Sequence, residues 1–237
     1  MNSRLKPSDK PAPWGAACAK GALAILLNRS FGIVSINGAI CTRQLPLPLD
    51  FVSMPKETLL PILFHLFRQH GYDGVSVSKI SAATKLGKAS LYHHFPGGKA
   101  EMLTATLSYS QQWFEENILQ VLASEGAALD RFQQMCDRLS ELYSAGEQPC
   151  LLATLTVGQA HSVFHESVKR RLEGFLAAIA HVLSEAGLPS ALAQQRAEDA
   201  IIALQGALIL SRGLDSSAPF KRVMAQLPEK LCEKISG

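Results

Sequence analysis

The sequence predicts an all-α chain in three parts: an extension over residues 1–53, a small three-helix domain over 54–100 and a larger helical domain over 101–237. Three observations lead there. Apolar residues recur three and four apart through most of the chain beyond Thr58. No stretch alternates apolar and polar in the manner of a half-buried strand. Breaks at Gly71, Gly87, Pro96-Gly97-Gly98, Gly146 to Pro149 and Gly187-Leu188-Pro189 space the periodic segments. With 237 residues, 47% of them hydrophobic, the chain can bury a real core.

Residues 1–53 differ from the rest. They hold Pro7, Pro11, Pro13, Pro46 and Pro48 and show no helical stripe. The apolar run Ala22 to Leu27 is too short to span a membrane, and no clean apolar core follows the early charges as a signal peptide requires. Three readings stand: a disordered basic arm, an added small element, or upstream translation that is not native.

The net charge of +3 says little, but its distribution says more. Residues 1–53 and 54–100 each carry +4, and residues 101–237 carry −5. A cationic head on an acidic body suits contact with phosphate.

The elements follow in order. Helix 1 is expected from about Thr58 to Gln69, with Leu59, Leu63, Leu66 and Phe67 as its stripe and Thr58 as N-cap, which would leave Pro61 in the first turn. Gly71 ends it. Ser76 caps a second helix, Val77 to Thr84, with Ile80 and Ala83 on its inner face. Gly87 is expected at the left-handed position that closes this helix. A third helix, Lys88 to Phe95, turns Leu91 and Phe95 inward. Two short helices joined by a tight turn form a helix-turn-helix, whose second helix can enter a DNA major groove.

The side chains suit that task. Lys88 can meet phosphate or a guanine edge, Ser90 can hydrogen-bond, and Ala89 permits close approach. Tyr92 and His93 present polar tips. Ser76, Ser78 and Lys79 lie on the helix before, and Lys99 with the amides at the start of the next helix forms an expected phosphate site. The pattern resembles the DNA-binding domain of the TetR family of bacterial repressors over roughly Glu57 to Leu107. The residues carrying it are His70-Gly71-Tyr72, the Ser76–Gly87 segment, and Lys88-Ala89-Ser90-Leu91-Tyr92-His93-His94-Phe95 followed by Lys99. Two departures are Gly97-Gly98, which replaces a Ser cap and lengthens the turn, and Pro61 inside helix 1. Met54 lies just before the first family-like helix. A start there leaves 184 residues, typical of the family, and favours non-native upstream translation for residues 1–53.

Beyond Gly98 the expected helices are Lys99–Ser124, Ala128–Ser144, a short one over Cys150–Gly158, a long one capped by Ser162, one from Ser190 to about Ser211, and a last over Ser217–Glu233. The resemblance implies a helical ligand-binding domain that dimerises through its last two long helices. Ala197, Ile201, Leu204, Ala207, Leu208 and Ser211 put small and apolar side chains on one face and are the expected dimer seam, unless they pack within their own subunit. Trp113, Phe114, Phe132, Met135, Leu139 and Cys150, with Leu152, His161, Phe164 and Phe175, could line a cavity for a neutral or weakly polar, hydrophobic small molecule, or simply form core.

Other chemistries find little support. No GxSxG, Walker loop, GxGxxG or HExxH is present, so the chain reads as no enzyme, with no catalytic residues. His161 and His165 lie four apart but lack a third ligand nearby in sequence, so neither metal nor cofactor is expected. Cys18, Cys41, Cys136, Cys150 and Cys232 are scattered, which suits a reduced, cytoplasmic protein. The expectation is a homodimeric, ligand-responsive repressor of a palindromic double-stranded DNA operator, with no membrane association. A constitutive DNA-binding regulator without an effector is the alternative.

Overall fold

The computed structural model describes residues 55–233, and among these every regular element is helical. The non-native or arm-like extension proposed for residues 1–53 lies outside the described residues.

The head is built from α1 (Lys56–His70), α2 (Val77–Thr84) and α3 (Lys88–His94). Leu59, Leu63 and Phe67 of α1, Ile80 of α2, Leu91 of α3 and its C-cap Phe95 are fully buried together. Ser76 caps α2 as its sequence predicts, its hydroxyl accepting the Lys79 amide at 3.1 Å.

Three local expectations need correction. Helix α1 starts at Lys56 after Pro55, and Thr58 donates its amide to the Pro55 carbonyl instead of capping. Pro61 therefore lies inside the helix and removes one interior hydrogen bond. The left-handed residue closing α2 is Lys85 (φ 59°), while Gly87 is extended and opens α3. Ser81 Oγ, donating to the Leu86 carbonyl at 2.6 Å, holds that turn. Finally, Ala83 is exposed and Thr84 takes the inner position four residues after Ile80.

The connecting helix α4 (Gly98–Phe114) packs on α1 and runs on through a π-helical turn, Glu115–Leu119, into α5 (Gln120–Leu122). The body then contains α6 (Ala128–Leu142), a short α7 (Leu151–Thr154), α8 (Gly158–Glu185), α9 (Ser190–Gly213) and α10 (Ala218–Cys232). Helix α9 packs on α8 and α10, and α10 packs on α6. Phe132, Ile179, Leu183, Leu204 and Phe220 lie in that core. The expected Ser162 cap is wrong: α8 begins a turn earlier at Gly158, and Ser162 is an exposed interior residue donating to the Gln159 carbonyl. None of the described helices is long and apolar enough to cross a membrane.

Head and body meet at a defined joint. Helix α7 touches α1. The Asp73 carboxylate accepts the Gln159 amide at the start of α8, 3.0 Å away, so a head residue caps a body helix. Beside it the Tyr72 ring meets Phe164 of α8 edge-on at 5.5 Å.

Candidate nucleic-acid interface

Burial decides which side of α3 is free. Leu91 and Phe95 anchor the helix, leaving Lys88, Ala89, Tyr92 and His93 exposed together, with Ser90 half-buried at the edge. Tyr92 is held in place from behind: Gly98, at φ 65°, comes so close that a Cβ there would stand 3.3 Å from the ring. Ser76, Ser78 and Lys79 are exposed along the start of α2. Ser76 spends its oxygen on the helix cap, and the Lys79 ammonium lies 3.4 Å from the Gly74 carbonyl.

The expected phosphate site at the start of α4 is already partnered. The Gly97 amide donates to Glu101 Oε2 at 2.7 Å. The Lys99 ammonium is half-buried, donating to the Tyr72 carbonyl at 3.0 Å and sitting 4.0 Å over the Tyr72 ring. Lys99 thus ties α4 to the end of α1. Glu101 also pairs with Lys56 at 3.6 Å.

A cavity of about 70 Å³ opens between head and body. Phe114, Cys150, Leu152 and Phe175, expected from the sequence, do line it. Trp113, Phe132, Met135, Leu139 and Phe164 are instead packed core, and His161 is exposed on another face beside His165. The residues missed are more informative. Phe64 and Arg68 enter from α1, Ser110 and Gln111 from α4, Arg171 from α8, and Gln205 from α9. Arg68 donates to the Leu142 carbonyl at 2.9 Å and lies 4.9 Å over the Phe64 ring. Both arginines fall inside otherwise apolar helical stripes, Arg68 four after Phe64 and Arg171 three after Val168, a spacing visible in the sequence.

The six residues expected at a dimer seam need correction. Ala197, Leu204, Ala207, Leu208 and Ser211 are at most 3% exposed within the single chain. Ile201 and Leu204 line the cavity, and Ser211 Oγ accepts the Phe220 amide, securing the start of α10. The opposite side of α9 is open: Ile202 and Ile209 are 67% and 68% exposed, and nothing crowds Gly206 or Gly213. Gly174 and Ala177 of α8 are exposed too. Helix α9 is apolar on two sides, so periodicity could not tell which was inward.

The fold and these surfaces define a class: a helix-turn-helix head carried on a larger helical body. Residues 64–106 match the model of bacterial regulatory proteins of the TetR family, and residues 128–226 that of the C-terminal domain of LmrA/YxaF-like transcriptional regulators. The chain belongs to the TetR family of transcriptional regulators. It is 21% identical over 180 residues to the HTH-type transcriptional regulator LmrA of Bacillus subtilis, covering 74% of this chain and 96% of that protein. An uncharacterised HTH-type regulator of Mycobacterium tuberculosis is 24% identical over 195 residues, covering 76% and 96%. Among solved structures, a TetR regulator from Legionella pneumophila superposes with a TM-score of 0.66 at 20% identity, covering 74% of this chain and 96% of that one. A cysteine mutant of the TetR-family regulator CifR, complexed with 26-bp double-strand operator DNA, superposes with a TM-score of 0.61 at 16% identity, covering 75% and 95%.

Proposed function

We propose that this regulator is a repressor that binds a palindromic DNA operator as a homodimer and is released by a hydrophobic small molecule. The observation that carries the reading is α3. Its apolar side is fully buried, and its other side offers a cation, a small residue, a phenol and an imidazole in one exposed strip. Lys88, Ala89, Ser90, Tyr92 and His93 would face the groove, with Ser78 and Lys79 toward the backbone. CifR, a neighbour of the same fold, is complexed with double-strand operator DNA, which suits a DNA-binding role for this chain.

Two reading heads need a two-fold body to set their spacing. The face of α9 bearing Ile202, Gly206, Ile209 and Gly213, with Gly174 and Ala177 of α8, suits a second copy, because glycine and alanine let helix axes approach closely. That face replaces the buried one expected from the sequence. The cavity supports an effector over a constitutive regulator, since it touches α1 and α4 as well as the body.

Selection of bound duplexes from a random pool tests the reading directly. An inverted repeat with half-sites about one helical turn apart is expected. Lys88→Ala and Tyr92→Ala should each weaken binding to the selected duplex without lowering the melting temperature. Unchanged affinity in both variants, or failure to enrich any duplex, would refute it.

A further inference from the structure

The charge inside the cavity assigns a ligand class. Most of its wall is apolar, including Phe114, Leu172, Phe175 and Ile201. Against this stand two guanidinium groups, Arg68 and Arg171, while no Asp or Glu lines the cavity. Arg171 is half-buried and makes a long contact, 3.5 Å, to Ser110 Oγ. Burial pulls its pKa down from the ordinary range, Glu115 draws it back up, and Arg170 lowers it again. A half-buried cation beside an apolar space, only partly offset by Glu115, gains when a second anion meets it, and guanidinium is shaped to grip a carboxylate with two parallel bonds.

We propose that the cavity takes an amphipathic anion, an aromatic or aliphatic body ending in a carboxylate or acidic phenol that meets Arg171, with Arg68 adding to the positive field. The inference rests on the effector reading of this cavity and replaces the neutral or weakly polar ligand expected from sequence. Ser110, Gln111 and Gln205 add polar groups to the lining, with Ser110 Oγ donating to the Leu107 carbonyl and Gln111 Nε2 to Glu115. The apolar part lies among Phe114, Leu172 and Phe175, where Phe114 and Phe175 already meet edge-on at 5.0 Å.

Two probes of matched shape test it on the full-length protein. Anilinonaphthalene sulfonate carries an anion, and N-phenylnaphthylamine keeps its rings without the charge. Fluorescence titration should show the sulfonate binding about tenfold tighter or more, the factor expected of one charge-assisted hydrogen bond. Arg171→Gln should remove that preference and leave the neutral probe unchanged, and Arg171→Lys should restore part of it. Equal affinities, indifferent to Arg171→Gln, would overturn the anion assignment while leaving the cavity as an effector site. Ile201→Trp and Leu152→Trp fill the cavity from two different helices, α9 and α7. If neither displaces either probe from a variant with wild-type helicity, the cavity reading falls, and the anion assignment with it.

Discussion

Replacing Gly158 by alanine probes the joint that ties the head to the body. Gly158 opens α8 at φ 64°, where an L residue costs about 1–2 kcal/mol. Its Cβ would also overlap the Asp73 carboxylate, which accepts the neighbouring Gln159 amide. The carboxylate must swing away, forfeiting a cap of about 1 kcal/mol. Gly158→Ala should therefore cost about 2–3 kcal/mol, and Asp73→Ala alone about 1 kcal/mol. Because both changes remove the same contact, the double variant should cost about 1 kcal/mol less than the two added together. Urea denaturation followed by circular dichroism measures all four proteins, at one protein concentration because assembly shifts apparent stability. Costs that add to within about 0.5 kcal/mol would refute the shared contact. A Gly158→Ala variant as stable as wild type would refute the left-handed start of α8.

Other outcomes follow from the same structure. Ile209→Glu places a charge on the open face of α9 and should convert a dimer to a monomer by light scattering, with operator binding lost and helicity retained. Lys88→Ala should reduce the slope of log affinity against log salt by about 1, as removal of one phosphate neutraliser does, and an unchanged slope would place Lys88 on a base edge instead. The Cys136 thiol is buried, and burial, with Asp137 beside it, pushes its pKa from 9.0 up to about 12. Since the unfolded thiol ionises first, stability should be unaffected by this group below pH 9.0 and fall between 9.0 and about 12, by about 1.4 kcal/mol per unit at most. Cys136→Ala should flatten that part of the stability curve, and Cys136 should resist alkylation at neutral pH in the folded protein.

The head was legible in the sequence because its signals are local. Ser76, Ile80, Leu91 and Phe95 act through residues three or four away, so their spacing alone fixes α2 and the inner side of α3. The turn between them was read less well. A glycine was the natural choice for the left-handed position, yet Lys85 takes it, steadied by Ser81 Oγ on the Leu86 carbonyl. In the body, helix positions were visible and helix faces were not. Helix α9 carries Leu204 and Leu208 on one side and Ile202 and Ile209 on the other, and only contact with α8 and α10 decides which side is inward. The cavity was half-visible for a related reason. Its aromatic wall follows the apolar stripe, but Arg68 and Arg171 are 103 positions apart in sequence and line one cavity only through the tertiary fold.

Under the effector reading, an occupant of the cavity would reach the head through α4 as well as α1, and the shape of α4 says where it should yield. Ligand cavities commonly measure about 300–1,000 Å³. This one, at about 70 Å³, must widen to admit a drug-sized molecule. Ser110, Gln111 and Phe114 form the α4 wall, and the π-helical turn Glu115–Leu119 follows at once. Such a turn holds one extra residue and has looser pairing, so it is the natural pivot. The 17 residues of α4 form a rod of about 25 Å, and a tilt of about 5° at the pivot carries Gly98, behind Tyr92, by about 2 Å. The ligand drives this only to the extent that it prefers the tilted state, by about 5.5 kcal/mol to reverse a 99:1 population. Deleting exposed Glu116 would return the turn to regular α-helix while leaving both flanks in register with their neighbours. That variant should keep its operator affinity and its ligand affinity yet lose much of the coupling between them, measured as the shift in operator affinity at saturating ligand. Full coupling in the deletion variant would show that the signal leaves the cavity by another wall, through α1 and Arg68 rather than α4.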